Sequence, residues 1–175
     1  MKFVQKFVAL DKSQHSVKQF ECGKKDMNQF LSRFAHKHAK LGLSRTMVLT
    51  LDEKTQKQTV EKKQVIAYYT IAASNVVKHR IPTKQSLPHY PIPIALLARL
   101  AVDVNYQGKY LGEKMLIYAL RHVSRLCDRG LPAYGLVLDV LDADALKFYK
   151  RFNFFYGFSD DPRRLFVPML LLREL

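Results

Sequence analysis

The sequence has no tryptophan, only two cysteines, seven glycines, and 15 acidic residues against 29 basic ones. Two cysteines, Cys22 and Cys127, cannot make a disulfide framework, and neither stands at a metal-ligand spacing. His36 and His38 lie two apart on a predicted helix and face different ways, so no metal is expected. No apolar run approaches the ~20 residues of a membrane span. The longest, residues 165–172, is interrupted by Pro168 and suits a strand. The first ten residues carry Lys2 and Lys6 inside a short apolar pattern, without the layout of a cleavable signal. No membrane association is expected, and the location is expected to be cytoplasmic. Repeats, low-complexity tracts and linkers are missing too. A chain of 175 residues is then expected to form one domain, residues 1–175. With 48% hydrophobic and 25% charged residues its composition is globular rather than disordered.

The shortage of acids leaves a net charge of +14, unevenly spread. Residues 1–87 hold 17 of the 29 Lys and Arg but only 6 of the 15 Asp and Glu. Such a balance fits a polyanionic partner, RNA, DNA or an acidic protein, although a basic protein without one has the same composition.

Local patterns predict an alternation of strands and helices. Residues 3–10 read as a first strand, and Phe20-Glu-Cys-Gly23 leads into a helix. In that helix Met27, Phe30, Leu31, Phe34, Ala35, His38 and Leu41 form the apolar stripe, with Lys24, Lys25, Arg33, Lys37 and Lys40 mainly off it. A basic helical face is as often plain solvated surface as it is a contact for a polyanion. Residues 46–51 and 65–73 read as strands, and the polar residues 52–63 between them as a hairpin loop. Residues 78–93 hold four prolines and are expected to be a long loop, carrying Arg80 as a second basic candidate. A later helix has its stripe at Met115, Leu116, Ala119, Leu120, Val123 and Leu126 and stops near Gly130. Residues 135–140 read as a strand. Asp142 is an N-cap candidate for a short helix over 143–152, and residues 154–156 and 164–172 close the chain as strands.

The chain is organised around residues 96–126. An apolar strand, Leu-Leu-Ala-Arg-Leu-Ala-Val-Asp, ends at Asp103, and the turn Gln-Gly-Lys-Tyr-Leu-Gly runs from Gln107 to Gly112 into a helix. Strand-to-helix turns of this kind bind anions. The first helical N–H groups lack partners, the helix end is positive, and glycine lets a phosphate approach the backbone. The turn matches neither the nucleoside-triphosphate loop nor the dinucleotide fingerprint.

It resembles instead the pyrophosphate loop of the GNAT N-acetyltransferase superfamily, [QR]-x-x-G-x-[GA], with Tyr110 where the family has glycine. A non-glycine residue there has to avoid strained positive φ, so a differently shaped loop is expected. The block Ala145-Leu-Lys-Phe-Tyr-Lys-Arg-Phe-Asn-Phe154 resembles the family's A-x-x-F-Y-x-x-x-G-F. Asn153 takes the place of a glycine there, being a residue that also tolerates left-handed angles. Together with Phe20-x-x-Gly23, Met27-Asn-Gln-Phe-Leu31 and Asp161-Pro-Arg-Arg-Leu-Phe166, the order is similar to the GNAT toxins of bacterial toxin–antitoxin pairs.

The resemblance implies an α/β GNAT fold, a mixed and mostly antiparallel central sheet flanked by helices on both faces. It implies acetyl-coenzyme A held by Ala101, Val102, Gln107, Gly108, Lys109, Tyr110, Leu111, Gly112, Glu113 and Phe148. Tyr149 would protonate the departing thiolate, a role suited to a phenol of ordinary pKa near 10. An antitoxin partner and a homodimer are implied as well.

The residues add a constraint on the substrate. No glutamate base is evident near the organising strand; the nearby acids are Asp103 and Glu113. Deprotonating a lysine amine at pH 7 costs roughly 4 kcal/mol, whereas an α-amine is far less basic. A basic surface without a base favours the amino group of aminoacyl-tRNA, with Lys24, Lys25, Arg33, Lys37, Lys40 and Arg80 as tRNA contacts. Two other readings stay open: an acetyltransferase for a protein N-terminus, lysine or small amine, and a nucleic-acid-binding protein without catalysis.

Overall fold

Apolar periodicity and glycine or proline punctuation account for most of the elements in the computed structural model, which describes residues 7–51 and 62–175. The chain divides into two units, Met1–Ile71 with Arg99–Leu116 and Ala72–Ala98 with Ile117–Leu175. Three long elements run from one unit into the other: β4 (Lys63–Val76), β5 (Ile92–Val102) and α3 (Leu111–Asp128).

The first unit opens with β1 (Val8–Ala9) and β2 (His15–Ser16), the described part of the expected first strand being β1 alone. The expected hairpin loop at 52–63 lies almost wholly outside the described residues, since only Lys62 and Lys63 fall within them. β3 (Arg45–Thr50) pairs antiparallel with both β1 and β4, and β2 lies parallel to β4. Phe20, Phe30, Leu31, Ala35, Val48, Val65 and Tyr68 fill its core. Phe20 meets Tyr68 edge-on at 5.4 Å, and the Tyr68 hydroxyl donates to the Met27 carbonyl at 2.8 Å, so the one polar tip in this aromatic cluster is satisfied.

The helix expected over 27–41 is broken in phase. It consists of α1 (Lys25–Gln29), a π-helical turn (Phe30–Phe34) and α2 (Ala35–Lys40). The Ala35 N–H donates to the Phe30 carbonyl, five residues back. One extra residue in that turn rotates the remainder of the helix, so Ala35 takes the inward position and Phe34 turns out. Phe34 is 42% exposed and Leu41 71%, whereas Met27, Phe30, Leu31 and Ala35 pack inward as the stripe requires.

In the second unit β5 pairs parallel with β6 (Gly135–Asp139), β6 antiparallel with β8 (Arg164–Pro168), and β8 antiparallel with β7 (Tyr156–Gly157). The β1–β3, β3–β4, β6–β8 and β8–β7 pairs are antiparallel and the β2–β4 and β5–β6 pairs parallel, the mixed, mostly antiparallel α/β arrangement that the resemblance implied. The proline-rich stretch is irregular except for a 3-10 turn (Lys78–Arg80), but Pro93 lies inside β5 as its second residue, ahead of the β5–β6 register, which starts at Ala95. α3 ends as its sequence announces. Gly130 adopts φ +116°, its N–H donates to the Cys127 carbonyl and that of Leu131 to the Leu126 carbonyl, a paired closure of the last turn.

Three expectations at the C-terminal end fail, one of them the strand over 154–156, which is reduced to β7 with Phe154 and Phe155 outside it. The strand expected over 164–172 stops at Pro168, and Met169–Glu174 form a short helix, α5, with Pro168 as its N-cap residue. Proline fixes φ and cannot donate to a ladder, so it ends the strand and starts the helix in one step. α4 (Ala143–Tyr149) is three residues shorter than expected, although Asp142 caps it as foreseen by accepting the Ala145 N–H at 2.9 Å.

Candidate functional site

The turn between β5 and α3 is built on a buried carboxylate. Asp103, the first residue after β5, is 0% exposed, and its oxygens accept the N–H groups of Glu21 (3.0 Å) and Asn105 (3.0 Å) and the Asn105 amide (2.9 Å). A carboxylate so committed is a structural anchor and not a free base. A 3-10 turn (Val104–Tyr106) follows, and the Tyr106 ring is buried beneath it. Gln107 then turns its amide back, donating to the carbonyls of Val102 (2.8 Å) and Cys22 (3.1 Å). Lys109 bonds the Asn105 carbonyl at 3.1 Å and lies over the Tyr106 ring.

Gly108 and Tyr110 are both left-handed, at φ +72° and +57°. The expectation that Tyr110 would avoid positive φ is therefore wrong: it takes a left-handed angle of the kind that favours glycine. That conformation costs an L-residue roughly 1–2 kcal/mol. The Tyr110 side chain is 71% exposed, so packing of its ring does not offset the strain. What holds the angle is the start of the helix. The Tyr110 carbonyl accepts the Lys114 N–H, and α3 begins at the next residue. The N–H groups of Leu111 and Gly112 precede the helix's own ladder and stand at its positive end, with Glu113 in the same first turn. Ala101 and Val102, also expected at the cofactor, are buried at the end of β5.

In the other unit Phe148 and Tyr149 end α4. Tyr149 retains 8% exposure, and Phe148 and Phe155 meet its ring edge-on at 5.1 and 5.6 Å. Burial pushes its phenol well above the ordinary range. Among the described residues its hydroxyl has no hydrogen-bond partner. Asn153 does not use a left-handed angle; among the described non-glycine residues Tyr110 alone does.

The basic candidates fall into two groups. Lys24, Lys25, Arg33, Lys37 and Lys40 are all exposed along α1, the π turn and α2. Lys25 and Arg33, with Lys18, Phe20, Glu21 and Asn28, line a groove of about 500 Å³ in this unit. Arg80 sits in the other unit, engaged with Asp160 at 3.2 Å. No cluster of His, Cys, Asp and Glu able to hold a metal occurs among the described residues.

Sequence reading assigned no role to Glu21 or Asn28. Glu21 accepts the Gly23 N–H (2.7 Å) and the Asn28 amide (2.6 Å), while the Asn28 oxygen accepts the Cys22 N–H (3.0 Å). Both residues lie in stretches that carried the family resemblance, Phe20-x-x-Gly23 and Met27–Leu31, which was their only signal.

No protein-family model matches the chain. It is 28% identical over 175 residues to the "Probable toxin TacT" of Sinorhizobium fredii (strain NBRC 101917 / NGR234), covering 95% of this chain and 92% of that one. It is 29% identical over 161 residues to the "tRNA-acetylating toxin" of Mycobacterium tuberculosis (strain ATCC 25618 / H37Rv), covering 90% and 87%. Its fold is that of AtaT, solved in complex with acetyl-methionyl-tRNAfMet, at 23% identity and a TM-score of 0.82 over 97% of each chain. AtaTR bound with AcCoA gives 24% and 0.80 over 97% of this chain and 96% of that one.

Proposed function

We infer that this chain is a GNAT N-acetyltransferase toxin of a toxin–antitoxin pair, moving the acetyl group of acetyl-coenzyme A to the amino group of aminoacyl-tRNA. The observation that carries this reading is a coincidence of two things. Similarity to a tRNA-acetylating toxin runs over 90% of the chain, and within it the strand-to-helix turn keeps left-handed geometry at Gly108 and Tyr110. That geometry supports a pyrophosphate lying against the first N–H groups of α3. The turn is assigned to the coenzyme by its backbone. Gln107 and Lys109, whose side chains bond carbonyls within the unit, serve as its framework.

In the proposed reaction the neutral α-amine attacks the thioester carbonyl, a C–N bond forms, and the C–S bond breaks. The departing thiolate takes a proton from Tyr149, and the proton shed by the attacking nitrogen restores the phenol. Burial makes the phenol a weaker donor than its ordinary pKa implies and favours the return of the proton, because a buried phenolate is costly, so the residue is neutral between turnovers. The amine needs to arrive uncharged. Asp103 is spent on three hydrogen bonds, which favours an amine of low basicity over lysine. An antitoxin is the partner, and the enzyme works as a homodimer of a single domain in the cytoplasm, where charged tRNA is found. Among the described residues no helix is long and apolar enough to cross a membrane.

The test is incubation of purified protein with charged tRNA and isotopically labelled acetyl-coenzyme A, followed by mass spectrometry of the aminoacyl end. Label on the α-nitrogen is the expected result. Label on protein lysines or polyamines, with none on tRNA, would replace the substrate.

A further inference from the structure

The segment from Phe20 to Lys24 is a strap between the turn after β5 and the head of α1, all within one unit. On one side the Glu21 N–H donates to Asp103 (3.0 Å), the Glu21 carbonyl accepts the Val104 N–H (2.7 Å), and the Cys22 carbonyl accepts the Gln107 amide (3.1 Å). On the other side the Cys22 N–H donates to Asn28, and the Glu21 carboxylate accepts from Gly23 and Asn28. Gly23 is left-handed at φ +84°, which folds the strap back so that its own N–H meets the Glu21 side chain.

The Ile66 carbonyl accepts the Asp103 N–H and the Val102 carbonyl the Gln107 amide; the other bonds to Asp103 and Gln107 from outside their own turn end on the backbone of two residues, Glu21 and Cys22. Those two residues are in turn held by one carboxylate and one amide. We propose that Glu21, clamped by Asn28, is a positioning residue for the coenzyme turn: it touches no coenzyme, but it sets the strap carbonyls and N–H that hold Asp103, Val104 and Gln107 in register. The inference rests on the proposed function, which puts acetyl-coenzyme A at that turn. Glu21 is exposed and lines the groove beside Lys25 and Arg33.

The experiment uses the full chain and compares Glu21→Ala, Glu21→Gln and Asn28→Ala. KM for acetyl-coenzyme A and kcat are measured at saturating charged tRNA, and coenzyme binding by calorimetry. Glu21→Ala and Asn28→Ala should raise KM for acetyl-coenzyme A about fivefold or more, in excess of any change in kcat. Glu21→Gln keeps an acceptor oxygen and should restore the wild-type KM. Simple removal of a negative charge near a phosphate acts in the opposite direction, lowering KM in both Glu21 variants. A purely structural role would reduce the active fraction, moving kcat with KM constant. Either of those two outcomes overturns the inference while the coenzyme still binds the wild type. Failure of the wild type to bind acetyl-coenzyme A overturns the proposed function, and the inference with it.

Discussion

Tyr110 holds a backbone angle that glycine reaches without cost, and its exposed ring gains nothing in return. Tyr110→Gly should therefore stabilise the fold, by about 0.5–1 kcal/mol once the extra freedom of glycine in the unfolded chain is subtracted from the relieved strain. Urea denaturation measures it; a loss of stability would mean that the ring makes contacts that matter. Two residues farther on, Gly112→Glu sets a negative side chain in the first turn of α3, where a pyrophosphate is proposed. Calorimetry should find no acetyl-coenzyme A binding, and wild-type affinity would remove the coenzyme from this turn. Tyr149→Phe keeps the buried ring and both edge-on contacts but loses the proton. Turnover should fall by ~10²-fold or more with coenzyme affinity barely changed. An unaltered kcat would return Tyr149 to a packing role.

At the level of elements the most exacting contact is where β6 begins. A Cβ on Gly135 would run into the Val167 carbonyl oxygen and lie 2.5 Å from the Phe166 ring, at the first pair of the β6–β8 ladder. Neither neighbour is a flexible chain end, so Gly135→Ala should destabilise the protein by about 3 kcal/mol. Thermal unfolding reads the loss, and a neutral result would show that β8 can shift. The element plan was largely legible in the sequence because its signals are local. The α3 stripe, the Gly130 stop, the Asp142 cap and the strand before Asp103 each lie within a few residues of what they specify. Features that depend on distant partners were not legible. Nothing near Glu21 announces that its N–H meets a carboxylate 82 residues on, or that Cys22 receives an amide 85 residues on. The π turn was hidden because Phe34 has the right character for a stripe and the wrong phase. α5 was hidden because its leucines fit a strand equally well until Pro168 is given its positional meaning. At the candidate site the order of strand, turn and helix is legible in the sequence, but the left-handed angle of Tyr110 is not, because the start of α3 and not the residue type holds it.

For the whole molecule the governing quantity is the +14 charge, concentrated toward the first half of the chain. If phosphate contacts supply most of the tRNA affinity, acetylation at low tRNA should fall steeply as salt rises. Reversing Lys25, Arg33 and Lys37 to glutamate should raise KM for charged tRNA and flatten that dependence, with acetyl-coenzyme A binding unaffected. Arg80, already engaged with Asp160, should matter less. Superimposable salt curves for mutant and wild type would take the tRNA off this face. A wild-type rate indifferent to salt would point to a small or protein-borne amine.

The exposed, left-handed Tyr110 also has an optical consequence. The chain contains no tryptophan, so a Tyr110→Trp variant would carry a single indole, on the surface, at the mouth of the proposed coenzyme turn. The aromatic-for-aromatic exchange leaves the backbone requirement as it is. Emission from that indole, excited beyond the absorption of the remaining tyrosines, would report the arrival of a nucleotide beside α3 in real time and without a label.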